Sequence, residues 1–292
     1  MTDTQARPDV GALKEAARLL RKDIIEMTTR AGSGHPSSSF SAVEVIVGLY
    51  FGGILRQSPD SPKDPDRDRF IMSKGHGAPA QYAALAERGY FPKEWMDGLR
   101  EIGQPLEGHP NMKRIPGIEA STGSLGQGLS VAVGIAIAGK LDEKDYQVFC
   151  MTGDGEIDEG QIWEAAASAA KFNLSNLVWI IDKNKYQQTG ATKDVMPMAP
   201  LAEKCRAFGW HTREINGQSL EEVMDALAEA HAYQDGPYCI ISNTDKGAGV
   251  SFVQGDFSYH GKALTREEAG RALRELGWDE DAKKYDTDGK GA

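Results

Sequence analysis

Cysteine is scarce in this chain: Cys150, Cys205 and Cys239 are the only three in 292 residues. An odd number at such wide spacing gives neither a disulfide framework nor a C-x-x-C metal motif. Cys150 and Cys239 fall inside apolar strand patterns, where a thiol packs as a small hydrophobe. Positive charge is also in deficit, with 33 Lys and Arg against 43 Asp and Glu and a formal net charge of −10. No basic tract offsets it, which argues against a nucleic-acid surface. No apolar run reaches bilayer length, and the opening MTDTQARPDV lacks a basic segment followed by an apolar one. These absences predict a soluble, cytoplasmic chain in a reducing compartment, with neither nucleic acid nor membrane as partner.

What the chain has is glycine, 33 residues without a collagen period and concentrated in particular turns. Its length supports a large core. The expectation is one α/β domain over residues 1–280 and a polar tail over 281–292, with a mostly parallel sheet and helices on both faces. The organising stretch is VFCMTGDGEIDEGQIWEAAASAAKFNLSNLVWIIDKNKY, from Val148 to Tyr186. It reads as an apolar strand, a glycine turn, a helix and a second apolar strand. In a parallel sheet both strands end at the same edge, the edge where open α/β folds bind ligands. Asp154 and Asn184 then become candidate neighbours with the chemistry of a hard-cation site. Magnesium takes oxygen ligands and commonly only one or two protein side chains, so a diphosphate would complete its shell. Gly153 and Gly155 let the backbone approach such a ligand, and the following helix offers free N–H groups. The same residues also admit a plainer use, Asp154 as a helix cap and Asn184 in a turn.

Around this centre the pattern alternates. Val10 to Thr29 is an amphipathic helix. RAGSGHPSSSF breaks it, and Ser41 with Glu44 suits a capping box for the helix AVEVIVGLYF. Gly52 to Asp68 is a proline-rich, charged loop. Phe70 to Met72 reads as a strand, Ser73 to Gly77 as a turn and Ala78 to Arg88 as a helix. Pro92 to Arg100 is a short helical pattern, Gly103 to Glu119 is irregular, and Ser130 to Ala138 is a buried helix of small residues. Its entrance, Gly123 to Gly128, has the spacing G-x-x-G-x-G, which fits close packing better than a dinucleotide fingerprint. Leu201 to Phe208 and Leu220 to His231 continue as helices, His211 to Ile215 and Tyr238 to Ser242 as strands. The loop 243–261 is too long to lack a task unless it is disordered. His35, His76, His109 and His260 all stand in turns or loops, and their spacing gives no zinc signature.

In this order the motifs form a pattern. SGHP at 33–36, SKGH at 73–76, GHP at 108–110, STGSLGQG at 121–128, the GDG turn followed by EG and WEA, and DKN at 182–184 together resemble the N-terminal, diphosphate-binding half of the transketolase family. The resemblance runs from about Leu13 to Gly261 and includes members built from two subunits. It implies thiamine diphosphate as cofactor, with Mg²⁺ (or Ca²⁺ or Mn²⁺ in its place) held by Asp154, Asn184 and the Tyr186 carbonyl. It places Gly155, His76 and His260 near the diphosphate and Gly123 and Leu125 beside the rings. His35, His109 and His260 line the substrate channel, and Glu164 lies at the dimer interface in communication between two active sites.

The implied activity is transfer of a two-carbon ketol unit from a ketose phosphate to an aldose, in the manner of the pentose phosphate reactions. Neutral histidines suit hydrogen bonding to sugar hydroxyls and developing oxyanions. One departure is the run Ser37 to Ser39, where single-chain members continue with glycines. A larger one is the missing pyrimidine domain, which implies a separate subunit carrying the pyrimidine-binding and C-terminal domains, in an α2β2 heterotetramer. A 1-deoxyxylulose-phosphate synthase-like or 2-oxoacid decarboxylase-like subunit, or a noncatalytic scaffold of the same fold, stays open at this level. The GHP settings of His35 and His109 favour transketolase.

Overall fold

Five parallel strands build the central sheet: β1 Arg69–Met72, β2 Val148–Gly153, β3 Leu177–Lys183, β6 His211–Asn216 and β7 Tyr238–Asn243, in the spatial order β1-β2-β3-β7-β6. A short antiparallel hairpin, β4 Tyr186–Gln187 and β5 Gly190–Ala191, leaves the end of β3. The helices are α1 Val10–Ala31, α2 Pro36–Phe40, α3 Val43–Phe51, α4 Ala78–Glu87, α5 Gln127–Leu141 and α6 Gly160–Lys171, then α7 Thr192–Val195, α8 Leu201–Ala207, α9 Leu220–Ala232, α10 Arg266–Glu275 and α11 Asp279–Ala282. The computed structural model describes residues 9–286.

The sheet is covered on both faces at its centre, where β2, β3 and β7 carry near-continuous apolar runs and are buried almost throughout, the pattern of a buried parallel sheet, while the edge strand β6 alternates buried and exposed positions. Side chains alternate between the two faces. Phe149, Met151, Val178 and Ile180 join one core with Leu20, Ile24 and Ile46 from α1 and α3. Val148, Cys150, Leu177 and Trp179 join a second core with Leu129 and Ala166 from α5 and α6. All three cysteines are buried and free. The expected α/β fold with helices on both faces is therefore observed, and all five strands of the main sheet are parallel.

Most element boundaries fall within two residues of the sequence reading. Helix α1 ends where Gly32 turns left-handed (φ 58°) and its N–H reaches back to the Thr28 and Thr29 carbonyls. Three expectations need correction. Ser41 and Glu44 do not cap α3, which starts after Ala42 without a side-chain cap. The Ser41 hydroxyl donates to Asp182 Oδ2 at 2.6 Å, and Glu44 accepts from Arg21 Nη2 at 2.8 and 3.0 Å. Both members of that ion pair are buried, and a buried charge requires its partner more than a helix requires a cap.

The small-residue helix α5 is buried on one face only: Leu129, Ala132 and Ala136 face the core, while Val131 is 41% and Leu141 79% exposed. Lastly, the start of the expected tail is ordered. Ala282, at the end of α11, is fully buried, and Lys283–Tyr285 continues as a single 3-10 turn; residues 287–292 lie outside those described.

Candidate functional site

The parallel register places Gly153 of β2 opposite Asp182 of β3. The two strands leave the sheet together, with Asp154 N–H donating to the Asp182 carbonyl at 3.1 Å. Asp154 then turns back over the end of β3. Its Oδ2 accepts the Lys185 N–H at 2.7 Å and its Oδ1 accepts the Gly155 N–H at 3.1 Å. Asn184 donates its amide to Asp182 Oδ2 at 3.1 Å, which leaves its oxygen turned away from that carboxylate, accepting from Tyr186 N–H at 3.2 Å. Long helix α6 begins only at Gly160, after a 3-10 turn at Glu156–Asp158. The N–H groups that directly follow the GDG turn are thus those of the short turn.

These strand ends form the floor of a cleft of about 380 Å³. Gly153, Asp154, Gly155, Asn184 and Tyr186 line it on one side, and Gly123 and Leu125 line it from the loop before α5. His35, His76 and His260 come to it from three separate turns. Their rings form a near-equilateral cluster, with centroids 5.2 Å (His35 to His76), 5.4 Å (His35 to His260) and 5.3 Å (His76 to His260) apart. Burial, followed by the Arg100 charge, lowers His35 to about 4. Burial and then the Lys246 charge lower His260 to about 3, and burial with the Lys74 charge holds His76 well below its ordinary value. All three imidazoles are neutral at pH 7.

Two buried lysines, absent from the sequence reading, supply positive charge. Lys74, from SKGH, and Lys246, from the loop after β7, both line the cleft and are each 1% exposed. Lys74 pairs with Asp182 and donates to the Ser38 carbonyl at 2.7 Å. Lys246 donates to Ser38 Oγ at 2.7 Å, while burial and then the Lys74 charge lower its ammonium to about 8. Asp182 is the hub beneath them, accepting also from Thr244 Oγ1 at 2.5 Å. The serines that replace a glycine run are therefore structural: Ser38 meets both lysines, and Ser39 Oγ donates to the His35 carbonyl at 2.9 Å. Glu156 is the second hub. Its carboxylate accepts from Ser73 Oγ, from Gly126 N–H at 2.8 Å and from Gly153 N–H at 3.0 Å, joining three turns of the cleft. Glycine is required where those turns touch: a Cβ on Gly128 would lie 2.5 Å from Ser73 Cβ.

Burial, and next the Asp182 charge, push the Asp154 carboxyl up to about 7. A cation beside it would remove that penalty. One carboxylate, one amide oxygen and an adjacent carbonyl make an oxygen-only, incomplete shell of the kind a hard cation shares with a phosphate. Among the described residues no group of three or more His, Cys, Asp or Glu is placed to hold a metal, so a cation here would depend on its ligand for the remaining positions. His260 Nδ1 and Gln187 Oε1 are buried at the cleft with no hydrogen-bond partner, and two lysines stand ready for an anion. The cleft fits a diphosphate with its cation.

Two predicted site residues stand apart. His109 lies in a neighbouring open cavity of about 340 Å³ with Arg100 and Glu107, its ring against Gly123, where a Cβ would come within 2.9 Å. Glu164 is on the exposed side of α6, outside the cleft. No helix among the described residues is long and apolar enough to cross a membrane.

Comparison with known proteins accounts for this arrangement. Residues 11–287 match the family model "Transketolase, thiamine diphosphate binding domain". The chain is 44% identical over 264 residues to the 6-deoxy-6-sulfo-D-fructose transketolase subunit of Clostridium sp. (strain MSTE9), covering 90% of this chain and 96% of that one. It is 41% identical over 256 residues to an apulose-4-phosphate transketolase subunit of Phocaeicola vulgatus, covering 88% and 90%. Among solved structures, the transketolase of Campylobacter jejuni superposes with a TM-score of 0.88 at 27% identity, over 95% of this chain but 46% of that one. The chain thus spans less than half of a solved transketolase and nearly all of proteins named as subunits. It belongs to the transketolase family and carries that family's thiamine diphosphate binding domain.

Proposed function

We propose that this chain is the cofactor-binding subunit of a two-subunit transketolase, moving a two-carbon ketol unit from a ketose phosphate to an aldose. The observation that carries the reading is the meeting of Asp154 and Asn184 at the ends of adjacent parallel strands, under a cleft with two buried lysines. When bound, thiamine diphosphate supplies stabilisation of the carbanion left by carbon–carbon cleavage. Asp154, Asn184 and the Tyr186 carbonyl would hold Mg²⁺, with Ca²⁺ or Mn²⁺ as substitutes. Lys74, Lys246 and His76 would face the diphosphate, with Gly123, Leu125, Gly153 and Gly155 shaping the wall. His35, His109 and His260, as neutral rings, would hold sugar hydroxyls by hydrogen bonds without acquiring charge.

The partner would be a subunit carrying the pyrimidine-binding and C-terminal domains, in an α2β2 assembly. Two features support a partner surface: the exposed Val131 side of α5, and Glu164 on the neighbouring α6, on the same outer layer. The test is reconstitution. The chain alone, the partner candidate alone and the mixture are assayed for ketol transfer from a ketose phosphate to a panel of aldoses, with mass measured by light scattering. Turnover confined to the mixture is expected, and full turnover by this chain alone overturns the split-enzyme reading.

A further inference from the structure

Arg100 carries an unusual set of contacts for a cation. It sits in the left-handed region (φ 63°), with its N–H fixed to the Leu106 carbonyl at 2.8 Å. A non-glycine residue there is held by its surroundings, and such positions concentrate at functional sites. Its guanidinium lies against Gly108, where a Cβ would come within 2.9 Å of Nε. Among the described residues no carboxylate pairs with it; its Nη1 donates to Ser33 Oγ at 2.9 Å and its Nη2 lies 3.4 Å from His35 Nδ1. The side chain therefore ties the SGHP turn to the GHP turn.

The contact with His35 has a chemical consequence. A guanidinium has five N–H donors, no acceptor, and never loses its proton in a protein. Whatever faces it must accept, so Nδ1 of His35 carries the lone pair and the ring proton is on Nε2. The His35 ring lines the cleft beside the His260 ring, and its Nε2 lies 3.1 Å from the position a Cβ on Gly261 would take, so the glycine leaves that nitrogen room.

We propose that Arg100 is a positioning residue that locks His35 in its Nε2–H tautomer, so that His35 offers a hydrogen-bond donor, and no base, to the ligand in the cleft. This deepens the transketolase reading and rests on it for its meaning, though not for its test. The groups that face His35 are Arg100, His109 and Lys246 by charge and His76 and His260 by ring contact. Loss of Arg100 removes the donor and the largest full charge acting on the ring.

The full-length chain is labelled with 15N-histidine and the His35 ring is assigned by comparison with His35→Gln. Two-bond 15N–1H spectra then report which nitrogen bears the proton. The expected result is the Nε2–H form in the wild type, a tautomer mixture with a higher His35 pKa in Arg100→Met, and recovery of the wild-type pattern in Arg100→Lys. In the reconstituted enzyme, Arg100→Met is expected to lower kcat/KM about tenfold, the scale of one lost charge-assisted hydrogen bond, and to move its acid limb to higher pH. A wild-type ring protonated on Nδ1 overturns the proposal, as does an unchanged tautomer and titration in Arg100→Met. If Arg100→Met fails to fold, the wild-type tautomer decides alone. Failure to find any ketol transfer would count against the function and leave the tautomer result standing.

Discussion

Lys74 and Asp182 form an ion pair beneath the cleft, and each is 1% exposed. Burial alone would raise the Asp182 carboxyl; the Lys74 ammonium, with the Ser41 and Thr244 hydroxyls, more than offsets this and leaves it below its ordinary value. Removing one partner leaves a buried charge uncompensated, which costs about 3–5 kcal/mol. Lys74→Met and Asp182→Leu should each lose about that much in urea denaturation, and the double substitution should lose less than the sum. Strict additivity would show that the two side chains do not depend on each other.

The histidine cluster predicts an acid-sensitive fold. Histidine titrates ordinarily at 6.5, but His35 is held at about 4 and His260 at about 3. Between pH 6.5 and 4 the unfolded chain binds protons that the folded one refuses, so stability is complete above 6.5 and is lost as pH falls. The melting temperature should decline across this window, and His260→Gln should make the decline shallower. A His260→Gln profile parallel to the wild type would contradict the buried, neutral state.

A second buried acid works with the opposite sign. Burial, and then the neighbouring Glu87 charge, raise Asp23 on α1 from 3.8 to about 8. The folded chain keeps a proton there that the unfolded chain gives up above 3.8, so this contribution falls as pH rises toward 8. Asp23→Asn, neutral at every pH, should melt above the wild type at pH 8 and close to it at pH 4. A variant that melts lower at pH 8 would show that the carboxyl is ionised in the fold.

The fold is legible because β2 and β3 open with unbroken apolar runs, and the cation pair is legible because both residues follow those strands directly. The rest of the site depends on contacts between distant turns, which local sequence does not encode. Lys246 sits in a loop sequence, DKGAG, that looks polar and exposed, yet it is buried because Ser38, over two hundred residues earlier, meets it. Asp182 is one letter of DKN in the sequence, yet four donors from distant turns and from Asn184 converge on it. Ser41 and Glu44 have the right spacing but tertiary partners took both, whereas Thr265 and Glu268 form a complete capping box at α10. Helix α5 read as buried from its small residues, a composition that equally suits a face awaiting another chain.

Gly128 tests how closely the turns must approach. A methyl group there would overlap Ser73 Oγ and lie 2.5 Å from Ser73 Cβ and 2.8 Å from its Cα. Overpacking of this sort costs about 1–3 kcal/mol. It would also displace the Ser73 hydroxyl from Glu156, which holds the GDG turn. Gly128→Ala should therefore lower the unfolding free energy by that amount and weaken cofactor binding, whereas Gly134→Ala on the same helix, with open space around it, should do neither. Equal behaviour of the two would remove the packing argument.

The cation and the cofactor should bind interdependently. Asp154 and Asn184 would contribute two side-chain oxygens, too few for a six-coordinate cation without phosphate oxygens or water. A diphosphate entering without the cation would in turn meet the Asp154 carboxylate, repelled by it and helped only by Lys74 and Lys246. Calorimetry on the reconstituted enzyme should show thiamine diphosphate binding weakened at least tenfold when Mg²⁺ is chelated, and similarly weakened in Asp154→Ala with Mg²⁺ present. In that variant chelation should have little further effect, because the cation has lost its only carboxylate ligand. Lys246→Met provides the contrast: it removes one charge from the cleft and leaves the oxygen ligands intact, so its affinity should be lower throughout while still responding to Mg²⁺. Equal affinity in wild type and Asp154→Ala, with and without the metal, would dismiss a bridging cation at these strand ends.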